Sequence, residues 1–202
     1  MNRLIAASLG AALLVAAPAL ADPTPPMPQV VRGTVTAITP TALTLKSREG
    51  QVLTIGLAKD WNVQVTVPIT AAGIQTGSFI GTSEMPQKDG TGRSLEVHVF
   101  PPGVKMGEGH YGWDLKKGSM MTNGTVGKVV ASADGRSFDV SYSTGVRHIV
   151  VPPKVPIVQI TPGDRSMLKP GVKVFLIAVK TPSGALVTNG AAVGDHGKAP
   201  PM

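Results

Sequence analysis

The sequence predicts an all-β protein, and three observations lead to that prediction. Short segments rich in Val, Ile and Thr alternate between apolar and polar positions, as β-strands do. The 24 Gly and 18 Pro among 202 residues interrupt the stretches in which a helix would otherwise propagate. The series of candidate strands also occurs twice. We therefore expect strands joined by tight turns, without long amphipathic helices.

Each candidate strand is a short β-branched run bounded by Gly, Pro, Asp or Ser. The first series comprises residues 31–38, 42–45, 52–57, 63–67, 78–84 and 95–100. The second series comprises residues 124–131, 137–141, 146–151, 155–160, 172–179 and 185–188.

The two series match each other in the same order, which indicates an internal duplication. "GTVTAI" at Gly33 matches "GTVGKV" at Gly124, and "VQVTVPI" matches "VPIVQIT". Further along, "IQTGSFIGTSE" aligns with "LKPGVKVFLIA" and places Gly77 opposite Gly171. We therefore predict a first barrel over 31–100, a connector over 101–123, a second barrel over 124–190, and a flexible tail over 191–202.

Each predicted unit is small, with five or six strands, and this favours two tandem OB-like barrels. Closing the sheet removes exposed edges, which matters for strands this rich in Val and Ile. The segments "TAAGIQTG" and "GDRSMLKPG" precede the fourth strand of each unit, where we expect about one turn of helix. A single β-sandwich built from both copies is the alternative fold.

The first 21 residues have the layout of a secretory signal. Arg3 is followed by an apolar run from Leu4 to Val15 and by Ala19-Leu20-Ala21, so we expect cleavage after Ala21. The apolar run is shorter than the ~20 residues that span a bilayer. A Pro-rich segment, 22–30, would open a mature periplasmic or secreted protein that has no transmembrane segment. The sequence contains no Cys, so stability must come from packed cores.

The signal, the two "GTV" barrel starts and the connector "GEGHYGWDL…MTNGTV" together carry a resemblance. In this layout the chain resembles a group of exported bacterial proteins of unknown function built from tandem small OB-like β-barrels. The resemblance covers most of the mature chain. It implies fold and compartment, and it implies no particular activity.

The connector is rich in Gly and Met and contains "HYGWDL" at its centre. Large aromatic side chains supply most of the apolar area of a short segment, so Tyr111 and Trp113 are predicted to pack on the barrels and join them. In that interpretation Asp114 caps the following turn, and His110 bonds to the backbone.

A soft-metal site is the alternative interpretation of the connector. Thioether and imidazole groups are ligands for copper(I), and four of them, Met106, His110, Met120 and Met121, lie within sixteen positions. The residue types are similar to those of small exported β-barrel copper carriers, although in those carriers the ligands lie on barrel strands. The alternative function is therefore copper binding or carriage, whereas the main hypothesis involves no cofactor.

The sequence contains no recognisable catalytic motif. It has no G-x-S-x-G turn, no thiol, no phosphate-binding loop and no paired carboxylates. His98 and His148 alternate with Val residues and are expected on polar strand faces, and His196 lies in the predicted tail. We therefore predict a protein that is not an enzyme.

The charge of the chain is uneven. Its formal net charge is +7, and residues 124–190 contain eight Lys and Arg against three Asp and Glu. A basic barrel predicts an anionic contact, such as an envelope protein, a lipid headgroup or an anionic polysaccharide. Few aromatic residues accompany these charges, so nucleic acid is not expected. The predicted function is a binding or assembly module of the cell envelope, and the candidate contact residues are Arg147, Lys154, Arg165, Lys169 and Lys173.

Overall fold

The structure is a computed structural model that describes residues 28–132 and 135–202. The predicted signal peptide and residues 22–27 of the Pro-rich segment lie outside the described residues. The chain forms twelve strands: β1 Pro28–Ile38, β2 Ala42–Ser47, β3 Val52–Pro68, β4 Phe79–Pro86, β5 Gly92–Val99, β6 Gly109–Gly112, β7 Met120–Ser132, β8 Gly135–Tyr142, β9 Gly145–Val151, β10 Ile157–Gly163, β11 Lys173–Lys180 and β12 Leu186–Gly194.

Single 3-10 turns at Ala71–Gly73, Arg165–Met167 and Asp195–Gly197 complete the structure. The first two precede β4 and β11, where the sequence predicted about one turn of helix. In the described ranges no helix is long and apolar enough to cross a bilayer. The predicted all-β barrel fold is confirmed.

Strands β1, β2, β3, β12 and β11 form a closed barrel, which we call barrel A. β1 pairs antiparallel with β2 and β11, and β12 closes the ring between β11 and β3. Inward side chains come from both copies of the duplicated sequence. Val35, Leu43 and Ile55 from the first copy pack with Val174 and Leu176 from the second.

Strands β4, β5, β7, β8 and β9 form the second ring, barrel B. Its closure is a short parallel pairing in which Gly92 and Arg93 of β5 lie opposite Ile149 and Val150 of β9. Its apolar core again combines both copies, with Ile80 and Val97 packed on Phe138, Val140 and Ile149.

The strand pairing corrects the predicted division of the chain. Residues 31–100 do not form one barrel and residues 124–190 another, because each barrel takes three strands from one copy and two from the other. The cause is the length of β3, which runs without a break for 17 residues. At ~3.3 Å per residue such a strand extends about 55 Å. It therefore carries the chain out of barrel A before the fourth strand begins.

The two barrels are joined by a continuous sheet. The second half of β3 pairs antiparallel with β10, from Val63 opposite Gly163 to Pro68 opposite Val158. The other edge of β10 pairs in parallel with β5 of barrel B. β10 is thus the bridging strand, and the barrels share backbone hydrogen bonds.

The duplication is visible in equivalent backbone contacts. At Gly33 of β1 a side chain would collide with the carbonyl oxygen of Lys46, and at Gly124 of β7 it would collide with that of Ser141. Both glycines therefore allow the first strand of a copy to cross closely over the second. This requirement explains why each "GTV" start contains Gly.

The predicted tail and connector also need correction. Residues 191–194 complete β12, and Met202 is only 4% exposed in a cluster with Phe79, Phe100 and Ile160. Residues 191–195 and 200–202 are therefore at least partly buried, and only 196–199 are exposed, so the predicted flexible tail over 191–202 needs correction. The connector contains β6, which pairs antiparallel with the start of β7 and extends that strand back to Met120.

Each barrel contains strands from both copies, an arrangement that we call the strand exchange. It predicts that a specific disulfide can form between the copies. Val30 of β1 lies directly opposite Ile177 of β11. Residues so placed have Cα atoms about 4.5–5.5 Å apart, which a disulfide can span. Because the chain has no Cys, we expect oxidised Val30→Cys/Ile177→Cys protein to have no free thiol and to give a linked peptide by mass spectrometry. Val30→Cys/Val146→Cys is the control and should stay reduced. Free thiols in the first variant would contradict the exchange.

Candidate groove between the barrels

A groove of about 690 Å³ lies between barrel A, the connector and the near edge of barrel B. Ligand pockets have volumes of roughly 300–1,000 Å³, so this one has the size of a small-molecule site. Eight large hydrophobic residues are exposed in the described chain, and four of them line this groove: Met106, Tyr111, Ile177 and Val179. The exposed apolar surface is therefore concentrated in one place.

One wall of the groove is the outer face of β11. Val174, Leu176 and Ala178 point into barrel A, so the alternate residues Phe175, Ile177 and Val179 face outwards. Val187 of β12 lies opposite Val179 and continues the apolar surface. A strand that is apolar on both faces requires cover on both faces.

The opposite wall is the connector. Tyr111 on β6 lies opposite Met121 on β7, and both line the groove together with Met106. Trp113 follows β6, and its ring centroid lies 6.3 Å from that of Tyr111 and 6.3 Å from that of Phe175. Trp113 therefore contacts barrel A, while Tyr111 accepts a hydrogen bond of 2.9 Å from Asn123 Nδ2 on barrel B. These contacts have the geometry expected of residues that join the barrels.

Arg32 on β1 connects three parts of the protein at one end of the groove. Its Nη1 donates to Asp114 Oδ2 at 2.7 Å and its Nε to the Met202 carbonyl at 2.6 Å. Its guanidinium lies 5.8 Å from the Trp113 ring centroid and 5.4 Å from that of Phe175. Since only 12% of its side chain is exposed, these interactions occur largely out of water. Asp114, predicted to cap a turn, is instead the ion-pair partner of Arg32.

The groove lining contains no Lys, Arg, Asp or Glu among the described residues. Its polar groups are neutral amides and hydroxyls, together with His98 and Tyr111. Asn62 and Gln64 project from β3, and Asn189 projects from the bulge of β12. In the described part of the chain, the side-chain amides of these three residues take part in no hydrogen bond with the protein.

Barrel B contains a buried polar network behind the connector. Glu84 is fully buried; its Oε1 accepts from Arg147 Nε at 2.7 Å and from Thr122 Oγ1 at 3.4 Å. Glu96 is also fully buried and accepts from the Ser83 backbone N–H at 2.7 Å. Its second oxygen lies 3.0 Å from His98 Nδ1. Charged groups at zero exposure need such partners, because an unpaired buried charge is strongly destabilising.

His98 is a groove residue that the sequence placed wrongly. It was expected on a polar strand face, yet it is 5% exposed, lines the groove, and packs edge-on against Phe100 with ring centroids 5.2 Å apart. Alternation with Val97 and Val99 correctly puts it on the other face of β5. That face is covered by the connector and barrel A rather than by water.

His110 links the connector to the buried network. Its Nδ1 lies 2.9 Å from Thr122 Oγ1 and 3.6 Å from Glu84 Oε1. Burial lowers the pKa of His110 from its ordinary value; the nearby Glu84 opposes this by raising the pKa, and Arg147 adds to the lowering. Burial likewise raises the pKa of Tyr111, partly offset by the hydrogen bond with Asn123.

The four candidate metal ligands do not converge. Met106 and Met121 line the groove, whereas His110 bonds to Thr122 on the opposite face of the β6–β7 ribbon. Met120 and Met121 are adjacent strand residues, so their side chains point to opposite faces. Within residues 28–132 and 135–202, no group of three or more His, Asp or Glu side chains is placed to hold a metal ion.

The five candidate basic residues lie on different parts of the protein. Arg147 is on β9 of barrel B and is engaged with Glu84 and with the carbonyls of Gly90 and Thr91. Arg165 lies 4.6 Å from the Trp61 ring centroid of barrel A. The other three are exposed: Lys173 belongs to β11 of barrel A, Lys169 precedes that strand, and Lys154 lies between β9 and β10. The structure does not gather this set on one barrel.

The groove residues were missed because they come from distant segments of the chain. One local signal was available: "VFLIAV", residues 174–179, is an uninterrupted apolar run rather than an alternating one. Such a run indicates a strand covered on both faces. Arg32 and Asn62 had no comparable signal, since each stands singly in a strand.

Comparisons with protein-family models, with curated proteins and with solved structures gave no match to the chain.

Arg32 is expected to stabilise the whole assembly. Replacing it with Met would remove two hydrogen bonds from a charged donor, which are worth about 2 kcal/mol in total because the Asp114 carboxylate is half exposed. We expect the free energy of unfolding in urea to fall by about that amount. Arg48→Met is the matched control, because Arg48 has half of its side chain exposed in a 3.4 Å ion pair with Glu49. The control should lie within about 0.5 kcal/mol of the parent protein. Equal losses in both variants would contradict this role.

The lowered pKa of His110 predicts a pH dependence of stability. The folded protein favours the neutral ring, so below pH ~6.5 the unfolded chain binds more protons and the free energy of unfolding falls as pH falls. The loss levels off below the folded-state pKa. In urea titrations at about pH 7.5 and about pH 5.5, we expect His110→Gln to lose less stability than the parent. His196→Gln, at a side chain that is 89% exposed, is the control. An unchanged pH dependence in His110→Gln would contradict the prediction.

Proposed function

We propose that this protein is a non-catalytic binding protein, and that the groove between the barrels holds a small, largely apolar ligand. The observation that carries the proposal is the concentration of exposed apolar side chains in one concave site. Soluble proteins rarely leave contiguous apolar surface exposed without a use for it. We further propose that this binding role belongs to an exported compartment, a proposal that rests on the predicted signal sequence.

The shape of the site favours a small molecule over a protein partner. Stable protein interfaces bury about 800 Å² on each side and are broad. Here the apolar residues instead line one concave site, with Ile177 and Val179 supplied by β11 and Met106 and Tyr111 supplied by the connector.

Two other binding hypotheses receive less support. Contact with an anionic envelope partner requires basic side chains on a shared surface, but Arg147 and Arg165 are engaged within the protein and lie on different barrels. Copper binding through Met106, His110, Met120 and Met121 requires the four groups to converge, but His110 and Met121 lie on opposite faces of the β6–β7 ribbon.

The proposal predicts saturable binding of a neutral apolar probe. N-phenyl-1-naphthylamine should bind with a blue-shifted rise in fluorescence, because the groove removes it from water. Val179→Lys places a charge on the apolar wall, and we expect affinity to fall about tenfold or more, the equivalent of about 1.4 kcal/mol. Val146→Lys is the matched control, since Val146 is 62% exposed on β9 and lies outside the groove. Absence of saturable binding, or equal loss in both variants, would refute the proposal.

A further inference from the structure

We infer that the ligand of the groove is a neutral amphiphile, with an apolar chain on the β11 and connector walls and an uncharged hydroxyl, ester or amide group at Asn62, Gln64 and Asn189. This inference rests on the proposed function and specifies its ligand. It begins from the lining, which contains no Lys, Arg, Asp or Glu among the described residues.

An ionised ligand would have no counter-charge in this site. Moving an ion out of water costs several kcal/mol unless an opposite charge or several hydrogen bonds replace the water. Arg32 lies over the rings of Trp113 and Phe175 but does not line the groove. Its charge is already paired with Asp114 at 2.7 Å.

The ionisable groups of the lining do not alter this conclusion. His98 Nδ1 lies 3.0 Å from Oε2 of the fully buried Glu96, so this ring nitrogen already has a partner within the protein. The Tyr111 hydroxyl bonds to Asn123 Nδ2 and to the Gly107 carbonyl, and burial raises its pKa further into the basic range. Both side chains are therefore already engaged within the protein.

The amide groups indicate where the polar end of the ligand lies. Asn62 and Gln64 are alternate residues of β3, so both side chains leave barrel A on the groove side. Asn189 projects from the β12 bulge, one residue from Gly190, which lies opposite Asn62. Each amide offers donors and an acceptor, and none is used within the described part of the chain. Hydroxyl, ester and amide groups match these partners without requiring charge.

The formal net charge of +7 affects how fast a ligand approaches the protein, and not how it is held inside the groove. Long-range attraction raises the rate at which anions reach the surface. It does not replace the counter-ion that a carboxylate would need inside the groove. The net charge alone would favour an anionic ligand, whereas the uncharged lining favours a neutral one. A comparison of ligands that share one chain and differ in the polar end distinguishes these two expectations.

The test uses three ligands with the same twelve-carbon chain, namely monolauroylglycerol, laurate and dodecylammonium, each below its micellar concentration. Each ligand competes with N-phenyl-1-naphthylamine bound to the predicted mature protein, residues 22–202, and its affinity is measured from the displacement of the probe. We expect monolauroylglycerol to bind at least about tenfold more tightly than either ion.

A second pair of variants tests the polar end. Asn62→Leu/Gln64→Leu should weaken monolauroylglycerol about tenfold or more, a larger loss than the same variant shows for the probe. Gln75→Leu, an exposed residue outside the groove, is the control. Laurate or dodecylammonium binding as tightly as the ester would overturn the inference while the proposed function stands. The same holds if the probe binds and none of the three ligands displaces it. If the probe does not bind either, the proposed function itself fails.

Discussion

The antiparallel pairing of β3 with β10 is the constraint on which the rest of the architecture depends. Val63 to Pro68 and Val158 to Gly163 are equivalent segments of the two copies, so their pairing relates the copies by an approximate two-fold axis. Each copy passes this junction and then delivers its fourth and fifth strands to the other barrel. The barrels therefore cannot separate without breaking the sheets of both. A groove between them consequently has fixed walls, unlike a cleft between two domains on a tether.

The sequence predicted most strands but not which strands close each barrel, and the reason is physical. The copies have the same alternation of apolar and polar residues at matching positions, so β11 can pair with the edge of β1 as well as with that of β7. The local sequence patterns are the same whether each copy forms its own barrel or the two copies exchange strands. What selects between them is the continuity of β3 through residues 58–62, "AKDWN", which has polar residues and was predicted to interrupt the strand. In the structure Trp61 is buried there, with Arg165 over its ring.

The groove was beyond prediction for a related reason. Its walls come from β3, the connector, β11 and β12, which become neighbours only through the exchange. Periodicity correctly separated the two faces of each strand, but it did not identify which face meets water. His98 illustrates the limit, since the alternation of "LEVHVF" is correct while the predicted exposure is wrong. The connector was more tractable, because aromatic residues in a short linker require a surface to cover them, and Trp113 meets one at Phe175.

The barrels differ in a way that bears on the groove. The core of barrel A is apolar, whereas barrel B buries Glu84 and Glu96 among β4, β5 and β7. A fully apolar interior of similar volume is often at least as stable as a buried ion pair, so stability alone does not account for the network. Its partners suggest a positional role: Glu84 and Thr122 meet His110, and Asn123 meets Tyr111, on opposite faces of the same ribbon. Directional bonds on both faces fix the register of β6 against β7. This register determines where Tyr111 and Trp113 lie. The polar interior of barrel B therefore sets the position of the connector wall of the groove.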